Sequence, residues 1–156
     1  MKDVESHLRP GVRDDYQAST YGDLWTGQYD DVYADVDDSI VNLLASLADP
    51  PKALELAIGT GRIALPLSDK GVTVTGIDIS TEMVAKLKAK AGGEAIEVVM
   101  GDMADVGVED SFPLIYLAFN TIFGLLTQEN QVACFRNVSS HLEPLGRFVS
   151  IALCPI

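Results

Sequence analysis

The chain contains little cysteine, little histidine and few basic residues. Among 156 residues there are 2 Cys and 2 His, and their spacing suggests neither a metal site nor a disulfide framework. We therefore expect no metal ion, and we interpret Cys134 and Cys154 as packing residues. Lys and Arg number 11 against 23 Asp and Glu, which gives a formal net charge of −12. Because phosphate contacts need cationic side chains, we expect no binding to nucleic acid or to an anionic membrane.

Long hydrophobic runs are also absent. No stretch approaches the roughly 20 apolar residues that a bilayer-spanning helix needs, and residues 1–10 lack the apolar run of a signal peptide. These absences predict a cytoplasmic protein. The hydrophobic content of 47% over 156 residues predicts one folded unit with a core of its own.

The most informative segment that is present covers residues 53–61, Ala-Leu-Glu-Leu-Ala-Ile-Gly-Thr-Gly. It is typical of an apolar strand with one acid, Glu55, that runs into a glycine turn. Gly59 and Gly61 can adopt backbone angles closed to other residues, and without a Cβ atom they let a ligand touch the backbone. Residues 62–70 follow as a helical segment whose amino end presents unpaired N–H groups. A strand, a tight turn and a helix in this order predict a nucleotide-type binding site.

A second predicted strand, residues 72–77, ends at Asp78. An acid at the carboxyl end of such a strand can accept both hydroxyl groups of a ribose. Nicotinamide dinucleotides and S-adenosylmethionine both contain that ribose, and Gly-Thr-Gly-Arg-Ile-Ala at 59–64 also fits the G-x-G-x-x-A form of the dinucleotide fingerprint. These residues leave both cofactors open.

Two later segments resemble one family more closely. A third predicted strand at 95–100 is followed by Gly-Asp-Met-Ala-Asp, and a fourth at 114–119 is followed by Asn-Thr. With the E-x-x-x-G-x-G opening and the Gly-Ile-Asp-Ile-Ser turn, residues 29 to 149 resemble the class I S-adenosylmethionine-dependent methyltransferases. Strands that alternate with helices predict an α/β fold with a doubly wound, Rossmann-like parallel sheet and helices on both faces. The resemblance implies the strand order 3-2-1-4-5.

The resemblance also implies which residues contact S-adenosylmethionine. The methionine and ribose part would face Glu55, Ala57, Gly59 and Gly61, and Asp78 would hold the ribose hydroxyls. Ala57 stands where the family usually has glycine, which adds one methyl group to the turn.

Further implied contacts come from the ends of the other strands. Ile79 and Met83 would pack on the adenine or the ribose. Asp102 would accept the adenine amino group, with Met103 beside the ring. The methionine end would lie over Phe119-Asn120.

Residues 1–28 are predicted to form an amino-terminal arm or lid, and residues 29–156 the cofactor-binding domain. Five aromatic residues lie close together between positions 16 and 33. In the resembling family the amino-terminal segment closes over the cofactor, which implies that Tyr21 or Tyr29 contacts the cofactor or the substrate. The alternative is that these side chains pack the first helices against the sheet.

The chain ends at Ile156, soon after the fifth predicted strand, Arg147 to Leu153. The family usually continues with strands 6 and 7, which we therefore expect to be missing, and Leu145 stands where glycine is common. An exposed edge strand tends to pair with another chain. We accordingly expect a possible homodimer through the edge of strand 5.

The function predicted from these observations is methyl transfer from S-adenosylmethionine to a small-molecule nitrogen, oxygen or carbon nucleophile. Catalysis would depend mainly on in-line orientation, so no catalytic residue is assigned. One alternative is a domain that binds S-adenosylmethionine without turnover. Another is an NAD-dependent oxidoreductase, although Glu55 would repel a pyrophosphate and attract a sulfonium cation.

Overall fold

A five-stranded parallel sheet organises the chain. The computed structural model describes residues 36–105 and 107–152. Along the sequence the strands are β1 Lys52–Leu56, β2 Thr73–Asp78, β3 Glu97–Met100, β4 Phe112–Leu117 and β5 Leu142–Ser150. Their order in the sheet is β3-β2-β1-β4-β5, and every neighbouring pair is parallel. The predicted fold class and strand order are confirmed.

Within the described residues, four α-helices accompany the sheet: α1 Asp38–Leu47, α2 Ala64–Asp69, α3 Thr81–Ala89 and α4 Gln128–His141. Short 3-10 segments cover Gly93–Ala95 and Thr121–Gly124. Side-chain caps set three of the helix starts, because an oxygen just before the helix accepts a backbone N–H of its first turn. Asp37 accepts from the Ser39 N–H at 2.8 Å, and Ser80 accepts from the Met83 N–H at 3.3 Å. Thr127 caps α4 in the same way.

Two details of the predicted strand pattern are wrong. The described residues between β3 and β4 form turns without a helix, so strands and helices do not alternate throughout. Strand β5 begins at Leu142, earlier than expected, and includes Pro144 and Gly146. Its register against β4 shifts between Leu142 and Arg147, and a bulged strand at this position tolerates a proline because the ladder is already interrupted there.

The core lies on both faces of the sheet. Along β4, Leu114 and Tyr116 pack on the face covered by α1, α2 and α3, while Ile115 and Leu117 pack on the face covered by α4. Both faces of β4 are therefore buried, as expected for a central strand of a parallel sheet. The expectation of helices on both faces is confirmed.

Helix α4 buries a narrow apolar face. Cys134 and Val138 are buried, which confirms that Cys134 is a packing residue, but Val132 and Phe135 are exposed. The Phe135 ring meets the Phe148 ring edge to face, with 5.8 Å between centroids. Among the residues that the structure describes, no helix has the length and apolar character needed to cross a membrane.

Candidate cofactor site

The carboxyl ends of β1, β2 and β4 meet at one edge of the sheet. Leu56, the last residue of β1, pairs with Ile77 of β2 on one side and with Leu117 of β4 on the other. The Ile58 N–H donates to the Ile77 carbonyl at 3.0 Å. The chain after β1 therefore lies directly beside the residue that follows Ile77, which is Asp78.

The turn after β1 contains three residues with left-handed backbone. The φ angles of Ala57, Gly59 and Gly61 are 53°, 57° and 77°. Among the residues that the structure describes, none lies within 4 Å of a Cβ atom placed on Gly59, whereas one placed on Gly61 would overlap Cδ1 of Leu87. Gly59 therefore borders open space at the sheet edge, and Gly61 allows close packing against α3. Ala57 adopts a conformation that favours glycine, so its departure from the family pattern introduces backbone strain.

Asp78 joins the ends of β1 and β2. Its Oδ2 accepts the Gly59 N–H at 2.6 Å and its Oδ1 accepts the Ser80 N–H at 2.8 Å. The residue is 7% exposed, and burial raises the pKa of its carboxyl group. Two carboxylate oxygens offer about four acceptor positions. The backbone of Ile79 also hydrogen-bonds to this carboxylate, so three backbone groups use part of its capacity and the rest can accept a ligand hydroxyl group.

Glu55 lies in β1 beneath the glycine turn. It is 4% exposed, and its Oε2 accepts a hydrogen bond from the Tyr116 hydroxyl at 2.9 Å. Burial raises the pKa of Glu55 to about 8, against the lowering effect of the Tyr116 hydrogen bond. Burial therefore favours the neutral form of Glu55 in the ligand-free protein. This finding weakens the expectation that Glu55 alone would repel a pyrophosphate.

The turn after β4 faces the glycine turn from the other side of β1. Phe119 and Asn120 have φ angles of 58° and 63°, and the Asn120 N–H donates to the Ile151 carbonyl at 3.2 Å. The Arg62 guanidinium lies 3.7 Å from the centroid of the Phe119 ring. This contact connects the two turns. The sequence interpretation did not single out Arg62, although its position directly after the two glycines was a signal.

The remaining sequence-predicted residues lie at the ends of β2 and β3. Ile79 is 40% exposed, whereas Met83 is buried in the first turn of α3. Asp102 closes its own turn, because its Oδ1 accepts the Ala104 N–H at 2.8 Å. Met103 is buried against the α4 face of the sheet, and Asn137 donates to its carbonyl at 3.1 Å.

The structure thus brings eleven of the thirteen sequence-predicted residues to the carboxyl end of the sheet, to the turns that follow it or to the start of α3. They are Glu55, Ala57, Gly59, Gly61, Asp78, Ile79, Met83, Asp102, Met103, Phe119 and Asn120. Tyr21 and Tyr29, together with the predicted arm at 1–28 and Cys154, lie outside the described residues. Within 36–105 and 107–152 there is no cluster of three or more His, Cys, Asp or Glu that could hold a metal ion.

Comparison with known proteins identifies the family. A family described as a methyltransferase domain matches residues 53–146, which include the glycine turn, Asp78 and the turn after β4. The chain belongs to this family. The resemblance inferred from the sequence motifs is confirmed.

Solved structures share the fold of the site. The CcbJ methyltransferase of Streptomyces caelestis superposes with a TM-score of 0.77 at 36% identity, over 86% of this chain and 58% of that one. The glycopeptide N-methyltransferase MtfA, crystallised with S-adenosyl-L-methionine, gives a TM-score of 0.64 at 28% identity, over 72% and 48%. The cypemycin N-terminal methyltransferase of a Streptomyces species is 31% identical over 98 residues, 63% of this chain and 40% of its own length. The chain therefore spans about half the length of these relatives.

Proposed function

We propose that this chain binds S-adenosylmethionine at the carboxyl edge of β1, β2 and β4, and that its methyl group passes to a small-molecule nucleophile. One observation carries the proposal: the Gly59 N–H donates to Asp78, and in the described part of the chain no atom fills the space beside the Gly59 Cα. A ligand can approach the backbone there and reach a buried carboxylate in the same place.

The residues around this point fit the parts of S-adenosylmethionine. Asp78 would accept the ribose hydroxyls through its remaining lone pairs. Ile79 is exposed beside Asp78 and would contact the adenine or the ribose face. Asp102 keeps acceptor capacity beyond its bond to Ala104 and would accept the adenine amino group. The methionine part would lie between the glycine turn and Phe119-Asn120, where the cation of Arg62 suits a carboxylate.

When bound, the cofactor supplies an electrophilic methyl group on a sulfonium. The protein would bind the cofactor, orient it and exclude water from the reacting atoms. Fixing the nucleophile in line with the reacting bond accounts for up to about 7–11 kcal/mol in well-oriented systems. An amine that arrives neutral needs no dedicated base. No proton acceptor is assigned among the described residues.

We further propose an amine nitrogen as the acceptor. The names of two relatives, cypemycin N-terminal methyltransferase and glycopeptide N-methyltransferase, support nitrogen. The net charge of −12 supports it too, because an acidic protein attracts basic molecules. A cofactor with an isotopically labelled methyl group and a panel of amines, alcohols and thiols would test the class. Label found mainly in alcohols or thiols would contradict the proposal.

The cofactor itself is tested by thermal unfolding with saturating S-adenosylmethionine, S-adenosylhomocysteine or NAD. A ligand at 100 times its dissociation constant adds about 2.7 kcal/mol of stability, enough to raise the unfolding midpoint by several degrees. We expect a shift with the first two ligands only. A shift with NAD alone would contradict the proposal and support an oxidoreductase. Binding without label transfer to any acceptor would support a domain that binds the cofactor without turnover.

We also propose that β5 mediates a homodimer. In the described part of the chain β5 pairs with β4 on one side only, and Leu145, Arg147 and Ser150 are exposed along it. Unpaired N–H and C=O groups on such an edge favour pairing with another strand. Sedimentation velocity over a range of concentrations tests this idea. A single monomeric species at high concentration would contradict it.

A further inference from the structure

Tyr116 and Glu55 form a buried pair beneath the glycine turn, and the proposed function gives Tyr116 no role. The two residues are direct partners across β4 and β1, and the Tyr116 hydroxyl donates to Glu55 Oε2 at 2.9 Å. Both side chains are buried among the residues under α1 and α2. In such surroundings an unsatisfied hydroxyl or carboxyl group is unfavourable. Each group therefore fixes the position of the other.

Polar and charged groups face Glu55 from several elements. The Arg62 charge and a hydrogen bond from the Ala64 N–H, both from the segment after the glycine turn, favour the ionised form of Glu55. Asp78 at the end of β2 opposes ionisation through its negative charge, and burial opposes it more strongly. Burial thus keeps Glu55 towards its neutral form, and a positive charge added at the turn would favour the ionised form.

We propose that Tyr116 is a positioning residue of the cofactor site: its hydroxyl holds the Glu55 carboxyl group beneath the glycine turn, where a bound cation favours loss of the Glu55 proton. The inference rests on the proposed function, because S-adenosylmethionine, with its cationic sulfonium and amino groups, is the ligand invoked. On binding, the proton leaves Glu55 for solvent and the carboxylate keeps its hydrogen bond from Tyr116. The ligand-free site avoids an isolated buried anion, and the negative charge forms when its countercharge arrives.

The first test needs no ligand. In Tyr116→Phe the Glu55 carboxylate loses a donor that stabilises its charge, so the variant is more destabilised at pH 9.5 than at pH 7. The ratio of variant to wild-type unfolding constants should rise by up to about tenfold for each unit by which the hydroxyl lowers the Glu55 pKa. Ile115→Val is the matched control, because Ile115 is the adjacent buried residue of β4 and packs on the opposite face. Its ratio should be the same at both pH values. An unchanged ratio for Tyr116→Phe would overturn the proposal.

The second test measures protons released when S-adenosylmethionine binds at pH 7, by calorimetry in two buffers with different heats of ionisation. It uses the wild type and Glu55→Gln, so it remains decisive even if Tyr116→Phe fails to fold. Because the ligand's own titration is common to both proteins, the difference isolates Glu55. We expect the wild type to release up to one more proton than the variant. Tight binding with equal proton counts would overturn this inference and leave the proposed function standing. If the wild type did not bind S-adenosylmethionine, both the proposed function and the proposed proton release from Glu55 would be overturned.

Discussion

Gly61 packs so closely against Leu87 that a Cβ atom on the glycine would overlap Cδ1 of the leucine. Gly59, two positions earlier in the same turn, has no described residue at the corresponding place. Both glycines have positive φ, so both satisfy the same backbone requirement. They differ in what lies beside them, which is protein for Gly61 and the proposed cofactor space for Gly59.

Alanine at each glycine should therefore separate folding from binding. Gly61→Ala combines left-handed strain of about 1–2 kcal/mol with overpacking of about 1–3 kcal/mol, less about 0.4–1 kcal/mol for the smaller freedom of the unfolded chain, and should lower the free energy of unfolding by about 1–5 kcal/mol. Gly59→Ala carries only the strain, but its methyl group enters the cofactor space. We expect it to weaken S-adenosylmethionine binding by at least about tenfold, which is 1.4 kcal/mol. Urea unfolding and calorimetry measure the two effects.

Gly71→Ala is the control for this pair. Gly71 has a φ of 86° and open space around its Cα, and it lies before β2, at the opposite end of the sheet from the site. Its alanine variant should show the strain without a loss of affinity. If Gly59→Ala bound S-adenosylmethionine as tightly as Gly71→Ala, Gly59 would not border the cofactor.

Replacing Asp78 by alanine should affect both affinity and stability. Loss of the charged acceptor should weaken S-adenosylmethionine binding by about 1–3 kcal/mol. The Gly59 and Ser80 N–H groups also lose their acceptor, so we expect a measurable decrease in the free energy of unfolding as well. Calorimetric titration at a temperature where the variant is folded separates the two effects. Asp69→Ala, at the exposed end of α2, serves as the control. An affinity unchanged from that control would remove Asp78 from the site.

The sequence predicted the sheet and its ligand edge because those features depend on local patterns. Each can be recognised from a short stretch of sequence: the apolar β1 segment, the glycines after it and the acid at the end of β2. Capping is equally local, because Ser80, a residue type preferred at helix starts, precedes α3 and accepts the Met83 N–H. The register shift in β5 could not be predicted, because it depends on how Leu142 and Arg147 align with β4.

Three other features depend on contacts between distant positions. The Tyr116 hydroxyl meets Glu55 only because β4 and β1 pair in that register. Arg62 stacks on Phe119 because the turns after these strands lie side by side. His141, isolated in sequence, accepts the Val108 N–H at 3.3 Å and so ties α4 to the loop before β4. Sequence spacing contains no signal for such pairs.

Leu145 is a position where stability should be easy to increase. Its φ is 68° and its side chain is 97% exposed, so it adopts a left-handed conformation without packing contacts in return. Leu145→Gly should remove strain of about 1–2 kcal/mol, less about 0.4–1 kcal/mol for the greater freedom of the unfolded chain. We expect a net gain of about 1 kcal/mol, measured by urea unfolding. Leu43→Gly, at an exposed position in α1, should instead lose about 1 kcal/mol. A loss in both variants would contradict the left-handed assignment at Leu145.

The stability of the ligand-free protein should fall as the pH rises from about 5 to about 8. Burial raises the pKa of Glu55 from 4.5 to about 8, so between these values the folded protein holds a proton that the unfolded chain has lost. Stability is therefore greatest below the unfolded pKa, and it declines by about 1.4 kcal/mol per pH unit until Glu55 ionises in the folded state. Burial raises the pKa of Asp78 as well, which acts in the same direction at lower pH.

Glu55→Gln isolates this effect, because glutamine keeps the shape of the side chain and an acceptor for the Tyr116 hydroxyl but cannot titrate. Urea unfolding should be measured for both proteins from pH 5 to pH 8.5. Because the wild type loses stability through Glu55 as the pH rises, the two curves of unfolding free energy against pH should converge or cross. Groups other than Glu55 titrate in both proteins and largely cancel in the difference. Parallel curves would mean that Glu55 is already ionised in the folded protein, so that the negative charge beneath the glycine turn is permanent and independent of the ligand.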